Sequence, residues 1–288
     1  MRSAAALRYA LLLLLSILGL GIACKHDARK AGEGQAHRPK LTPLDAEAWL
    51  VDLHVPGFGK AAVAVPLGAK AARPIVIALH GSADRPEWVC AALRSVAGPQ
   101  PFVLCPRGAA RTDFPASDPR YTFGTEEETA RELRAALAEL KRRFGVYVAP
   151  GPVIFAGFEV GADHAASIAA EEPSFFSRLL LIEPMPSRWP SSQAAMFGRA
   201  GGQRVLFAFG SAHRDEFEQR AVLTTRGGAD ARAVLLEEGP ATLGPQSRRR
   251  LIQNWSWLAG PLRAGVTSNL AGNALSAGGP VAPGPIDQ

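Results

Sequence analysis

Eight short, strongly apolar runs alternate with helix-length segments through most of the chain: residues 49–55, 61–66, 75–79, 102–105, 153–156, 179–182, 205–209 and 231–236. The run Ile75-Val76-Ile77-Ala78-Leu79 shows the type, having no polar residue on either alternate face. A strand so uniformly apolar must be covered on both sides, which is the signature of a mostly parallel sheet with helices on each face. The first two runs precede any helix and fit an antiparallel hairpin. The fold class expected is therefore α/β, with a mostly parallel sheet of about eight strands and helices on both faces.

Helices are expected over residues 86–96, from Thr125 to a stop at Gly145, and over 161–171, 191–200, 215–227 and 245–258. The second is the clearest. Thr125 and Glu128 stand at capping-box spacing, and Glu126 and Glu127 add charge that favours a helix start. Leu133, Leu137, Leu140 and Phe144 then recur at spacings of four, three and four, a stripe that belongs in the core.

With 288 residues, 47% of them hydrophobic and 20% charged, the chain can bury a sizeable core, and one folded domain fits residues 44–259. Residues 1–24 read as a signal peptide: Arg2 and Arg8 form a basic start, and the run from Ala10 to Ala23 is apolar but short for a bilayer span. Leu20-Gly21-Ile22-Ala23-Cys24 resembles the lipobox of bacterial lipoproteins, departing from it in having Gly21 three before the cysteine. That resemblance implies export and attachment to the cell envelope through a lipid on Cys24, with ordinary secretion or an uncleaved anchor as the alternatives. Residues 25–43 read as a tether and 260–288, rich in Ala, Gly, Pro and Ser, as a disordered tail.

The formal charge of +6 is scattered. Lys141-Arg142-Arg143 closes a helix, and Arg248-Arg249-Arg250 lies in another. Neither cluster has interleaved aromatics, so no nucleic-acid partner is expected. If Cys24 carries lipid, Cys90 and Cys105 remain either as a disulfide, worth on the order of 3 kcal/mol, or as two buried thiols.

The chemistry converges on two segments. Residues 153–156 lead into Gly157-Phe158-Glu159-Val160-Gly161, a glycine-framed turn ahead of a helix. Ile75–Leu79 leads into His80-Gly81-Ser82. With Leu104-Cys105-Pro106-Arg107-Gly108 between them, this ordered set resembles the α/β-hydrolase superfamily, nearest its carboxylesterase, phospholipase and dienelactone-hydrolase branch. The resemblance implies that His80-Gly81-Ser82 forms an oxyanion turn and that Gly157–Gly161 is the nucleophile elbow. It also implies a serine at position 159, a histidine in a late Gly-His turn, and an acid after the strand before it.

The first two are replaced. Glu159 fills the serine position, Ala241 stands where the histidine would fall, and no histidine follows His213. The acid position offers Asp215 or, by stricter spacing, His213. A catalytically silent envelope protein with a small-molecule or protein partner is expected; the alternative is an unusual ester hydrolase using Glu159 with His213 or His80, and Asp215. An acidic side chain at a strained elbow would need compensation, for which Arg107, Arg85 and His213 are candidates. His80 reads as structural. Glu159, Asp163 and His164 lie too close along one helix, with no distal cluster, to suggest a metal, and no cofactor is expected.

Overall fold

The computed structural model describes residues 41–237 and 243–260. The expected leader with Cys24, most of the expected tether, the residues beyond 260 and Ala241 lie outside the described residues.

Strands β1 (Leu50–Val55) and β2 (Gly59–Ala64) form the expected antiparallel hairpin. Strand β2 also pairs antiparallel with β4 (Phe102–Cys105), which lies parallel to β3 (Ile75–Leu79). A two-residue hairpin, β5 (Ala109–Ala110) with β6 (Tyr121–Thr122), stands apart from the main sheet. It is too short to leave a periodic signal, and the sequence gives no hint of it. Strands β7 (Ile154–Phe158), β8 (Arg178–Ile182), β9 (Arg204–Phe209) and β10 (Asp230–Leu235) continue the sheet in parallel, in the order β1-β2-β4-β3-β7-β8-β9-β10.

The alternation of side chains explains the continuous apolar runs. Ile75, Ile77, Leu79, Phe102 and Leu104 face one core, and Val76, Ala78, Val103 and Cys105 face the other. Helices α2 (Glu126–Phe144), α3 (Val160–Glu171), α4 (Ser191–Arg199) and α5 (Arg214–Arg226) cover the first face. Helices α1 (Pro86–Ala97) and α6 (Pro245–Ala259) cover the second, through Val89, Leu93, Leu251 and Leu258.

Local signals act as the residues dictate. Thr125 Oγ1 accepts from the Glu128 amide at 3.1 Å, and Glu128 Oε2 accepts from the Thr125 amide at 3.0 Å, completing the capping box of α2. A disulfide joins Cys90 of α1 to Cys105 at the end of β4, with Cα atoms 5.9 Å apart and both residues fully buried. It ties the only helix between β3 and β4 to the sheet edge that carries the site. At the opposite edge, buried Arg178 donates to the Gly260 carbonyl and Arg204 to the Trp257 carbonyl, so two cations collect the orphan carbonyls ending α6. Burial, with Arg204 nearby, lowers the Arg178 guanidinium to about 10.

Candidate functional site

Strand β7 runs two residues further than the apolar run requires, so the chain turns at Glu159 itself, with φ 49° and ψ −119°. The Glu159 amide donates to the Ile182 carbonyl at 2.8 Å, while its own carbonyl accepts from the Ala162 and Asp163 amides at 2.8 and 3.1 Å. A residue with a Cβ pays to hold this conformation. The flanking glycines are fixed by contact rather than by φ. A Cβ on Gly157 would lie 2.3 Å from the Gly161 carbonyl oxygen, and one on Gly161 would lie 2.4 Å from that of His80. The elbow is thus pressed onto the turn after β3.

That turn meets the Glu159 side chain. A Cβ built on Gly81 would come 2.8 Å from Glu159 Oε2 and 3.3 Å from its Cδ, so the carboxylate lies directly over Gly81. The Val160 amide, first in α3, has no acceptor within the helix. Among the described residues neither it nor the Ser82 amide donates a hydrogen bond.

The turn is held from beneath by a buried polar frame. His80 is completely buried, its Nδ1 2.7 Å from the Gly81 carbonyl and its Nε2 2.8 Å from the Arg107 carbonyl, and its ring stacks on Phe123 at 4.6 Å. Glu132, on α2 and 4% exposed, accepts from the Arg107 amide at 2.9 Å and the Gly108 amide at 3.1 Å. Burial pushes its carboxyl upward, opposed by those two amides and by the nearby His80 and Arg107.

Two residues behind the elbow are equally committed. Asp163 accepts from the Met185 amide at 2.7 Å, and burial raises its carboxyl. His164 places Nδ1 2.9 Å from Thr129 Oγ1, whose own hydrogen goes to the Thr125 carbonyl, so the imidazole is the donor. Burial lowers the His164 imidazole. Glu159, Asp163 and His164 therefore point to three different surroundings.

The expected partners of Glu159 are not its partners. Arg107 pairs with Glu87 at 3.0 Å and donates to the Tyr121 hydroxyl at 2.8 Å; Arg85 pairs with Asp118. His213 lies exposed, 3.0 Å from Glu216, and Asp215 is an exposed residue in the first turn of α5. Arg107 and Arg85 are drawn off because the loop through β5 and β6 folds over α1, bringing Tyr121 and Asp118 within their reach. His80 is spent on two backbone carbonyls. The pairing of Glu159 with His80 or His213 therefore finds no support in the geometry: among the described residues its carboxylate has no hydrogen-bonding or ionic partner.

One residue here was missed from the sequence. Glu183 follows β8 as Glu159 follows β7, since Phe158 and Ile182 are paired in register. It too has a positive φ, 51°, and its carboxylate accepts from the Gly210 amide. Its signal was the same one, a glutamate immediately after an apolar strand.

Above the carboxyl edge of the sheet the described residues leave a cleft of about 690 Å³. Trp88, Val89, Phe158, Ile182 and Leu243 supply its apolar wall; Glu159, Ser82, Arg120 and Arg248 its polar one. Its size is that of a small-molecule site.

No protein-family model and no curated protein matches the chain. Solved structures do. Esterase PE8 aligns over 76% of this chain and 99% of its own at 14% identity, with a TM-score of 0.50. Est1E from Butyrivibrio proteoclasticus aligns over 74% and 100% at 11% identity and TM-score 0.50. A variant of esterase rPPE aligns over 73% and 81% at 16% identity and TM-score 0.50. Together with the sheet order and the elbow, these place the chain in the α/β-hydrolase fold; at such identities they establish the fold and nothing of the chemistry.

Proposed function

We propose that this chain is a catalytically silent protein of the α/β-hydrolase fold, exported and lipid-anchored, that binds a ligand in the cleft instead of hydrolysing one. The observation that carries the reading is the Glu159 carboxylate lying over Gly81. Acyl transfer in this fold would develop negative charge beside the Ser82 and Val160 amides. Two unit charges about 4 Å apart repel by roughly 4 kcal/mol at an effective dielectric of about 20, which is on the order of a thousandfold in rate.

The missing proton shuttle supports the same conclusion. His80 and His164 are engaged with the protein's own groups, and His213 is exposed and paired with Glu216. His54, on β1, is exposed at the opposite end of the domain's strand order from β10. The sequence supplies no histidine after position 213. Without a base beside it, Glu159 could at most form an acyl product it cannot release.

Export rests on the leader and Cys24, and the buried Cys90–Cys105 disulfide supports it, because such bonds persist in oxidising compartments. The anchor is tested by fractionation: Cys24→Ser is expected to move the protein from the membrane to the soluble fraction, and an unchanged distribution would refute lipidation. Activity is tested with a panel of short acyl esters and thioesters on the purified protein and on Glu159→Ala. Neither is expected to turn over substrate above the rate of buffer.

A further inference from the structure

We infer that the cleft takes an apolar zwitterion, chemically a short peptide with free ends, its ammonium at Glu159 and its carboxylate at Arg248. This deepens the proposed ligand-binding role and rests on it. The charges in the cleft are unequal in their commitments. Arg120 is ion-paired with Asp118 at 2.9 Å, a carboxylate it shares with Arg85, and lies against the Trp88 ring at 4.4 Å. Asp84 accepts from the Arg85 amide at 2.7 Å, at the start of α1.

Glu159 and Arg248 differ from Arg120 in having no ion-pair partner among the described residues; the Asp84 carboxylate, which has none either, is held by the backbone amide. Glu159 has no partner among the described residues, and the one group Arg248 engages there is a neutral carbonyl, that of Leu243 at 3.2 Å. Both line the same cavity, yet they do not pair with each other. An anion and a cation that line one cavity with apolar residues and do not pair with each other are complementary to a molecule carrying the opposite charges on an apolar body. Trp88 is 48% exposed at this wall, which is where the apolar body gains most from burial. The volume of about 690 Å³ exceeds what a single amino acid fills and leaves room for two or three residues.

The test is calorimetric titration of the purified chain with the dipeptide leucyl-phenylalanine, its N-acetyl form, its C-terminal amide, and the form blocked at both ends. The free dipeptide is expected to bind, and each single block to weaken it by about tenfold. Glu159→Gln should abolish discrimination against the acetyl form alone, and Arg248→Gln discrimination against the amide alone. Circular dichroism establishes that each variant is folded, and Arg248, being exposed, tests the idea without touching the elbow. Equal affinity for all four compounds would overturn the zwitterion while leaving a ligand-binding cleft. Binding by none of them overturns it also. Ester turnover by the wild-type chain would instead strike the silent reading, whatever the peptides do.

Discussion

Glu159 and Gly81 are in contact across the mouth of the elbow: there is no room for a methyl group on Gly81, because Glu159 Oε2 already stands 2.8 Å from where it would be. The two come from different strand ends, β7 and β3, which are direct neighbours in the sheet with Leu79 paired to Gly157. The replacement at the elbow and the turn that would hold an oxyanion are therefore one feature. On the proposed reading, a longer acidic side chain in place of a short hydroxyl removes the nucleophile and, by the same stroke, puts negative charge on the turn.

The glycines that frame the elbow should be intolerant for a steric reason. Gly157→Ala and Gly161→Ala place a Cβ 2.3 and 2.4 Å from backbone oxygens that cannot move without displacing α3 from the sheet. Each is expected to cost about 3 kcal/mol or more, read from denaturant unfolding. Wild-type stability in either variant would contradict the geometry.

Glu159→Gly should have the opposite effect. It relieves a non-glycine residue at φ 49° and loses no hydrogen bond of the side chain. A gain of about 1 kcal/mol, raising Tm by roughly 2–4 °C, is expected from thermal unfolding. Glu183→Gly, which relieves φ 51° but gives up the Gly210 amide, should gain less.

Acidification should cost stability through His164. Its imidazole titrates below the ordinary 6.5 when folded, so just below that pH the unfolded chain binds a proton that the native one does not. The contribution is present in full above 6.5 and is lost as pH falls through and below that value. Asp163 and Glu132, both raised by burial, act in the reverse sense, taking up protons in the native state first. Comparing wild type with His164→Gln isolates the histidine: between pH 7 and 5 the wild type should lose more stability than the variant, and parallel curves would exclude the effect.

The Cys90–Cys105 disulfide closes a segment with a sequence separation of 15 and lies wholly in the core. Paired replacement by alanine is expected to lower stability by about 3 kcal/mol, measured against the oxidised protein. A change below about 1 kcal/mol would mean that packing of α1, rather than the cross-link, holds this edge.

The strands that form the middle of the sheet were legible because each is buried on both faces: Ile75–Leu79 and Phe102–Cys105 begin and end where the apolar runs do. The start of α2 was legible because Thr125 and Glu128 interact across three residues. The elbow could be read for a similar reason, since its glycines and Glu159 are adjacent in sequence. What escaped depends on distant segments meeting. Glu132 is in sequence one polar position among many on α2, yet it carries the amides of Arg107 and Gly108 from a loop two dozen residues earlier. Arg107 and Arg85 looked available to Glu159 until the loop through β6 brought Tyr121 and Asp118 to them. Position 241 and Cys24 lie outside the described residues, so the histidine loop and the anchor rest on sequence.

The most direct measurement is ester turnover by the purified wild-type chain beside Glu159→Ala, at matched concentrations and across the same acyl panel. Rates indistinguishable from buffer in both are expected if the carboxylate over Gly81 has ended the chemistry. Saturable hydrolysis by the wild type that disappears in Glu159→Ala would show that this carboxylate works on substrate, and the proposed silence would be wrong.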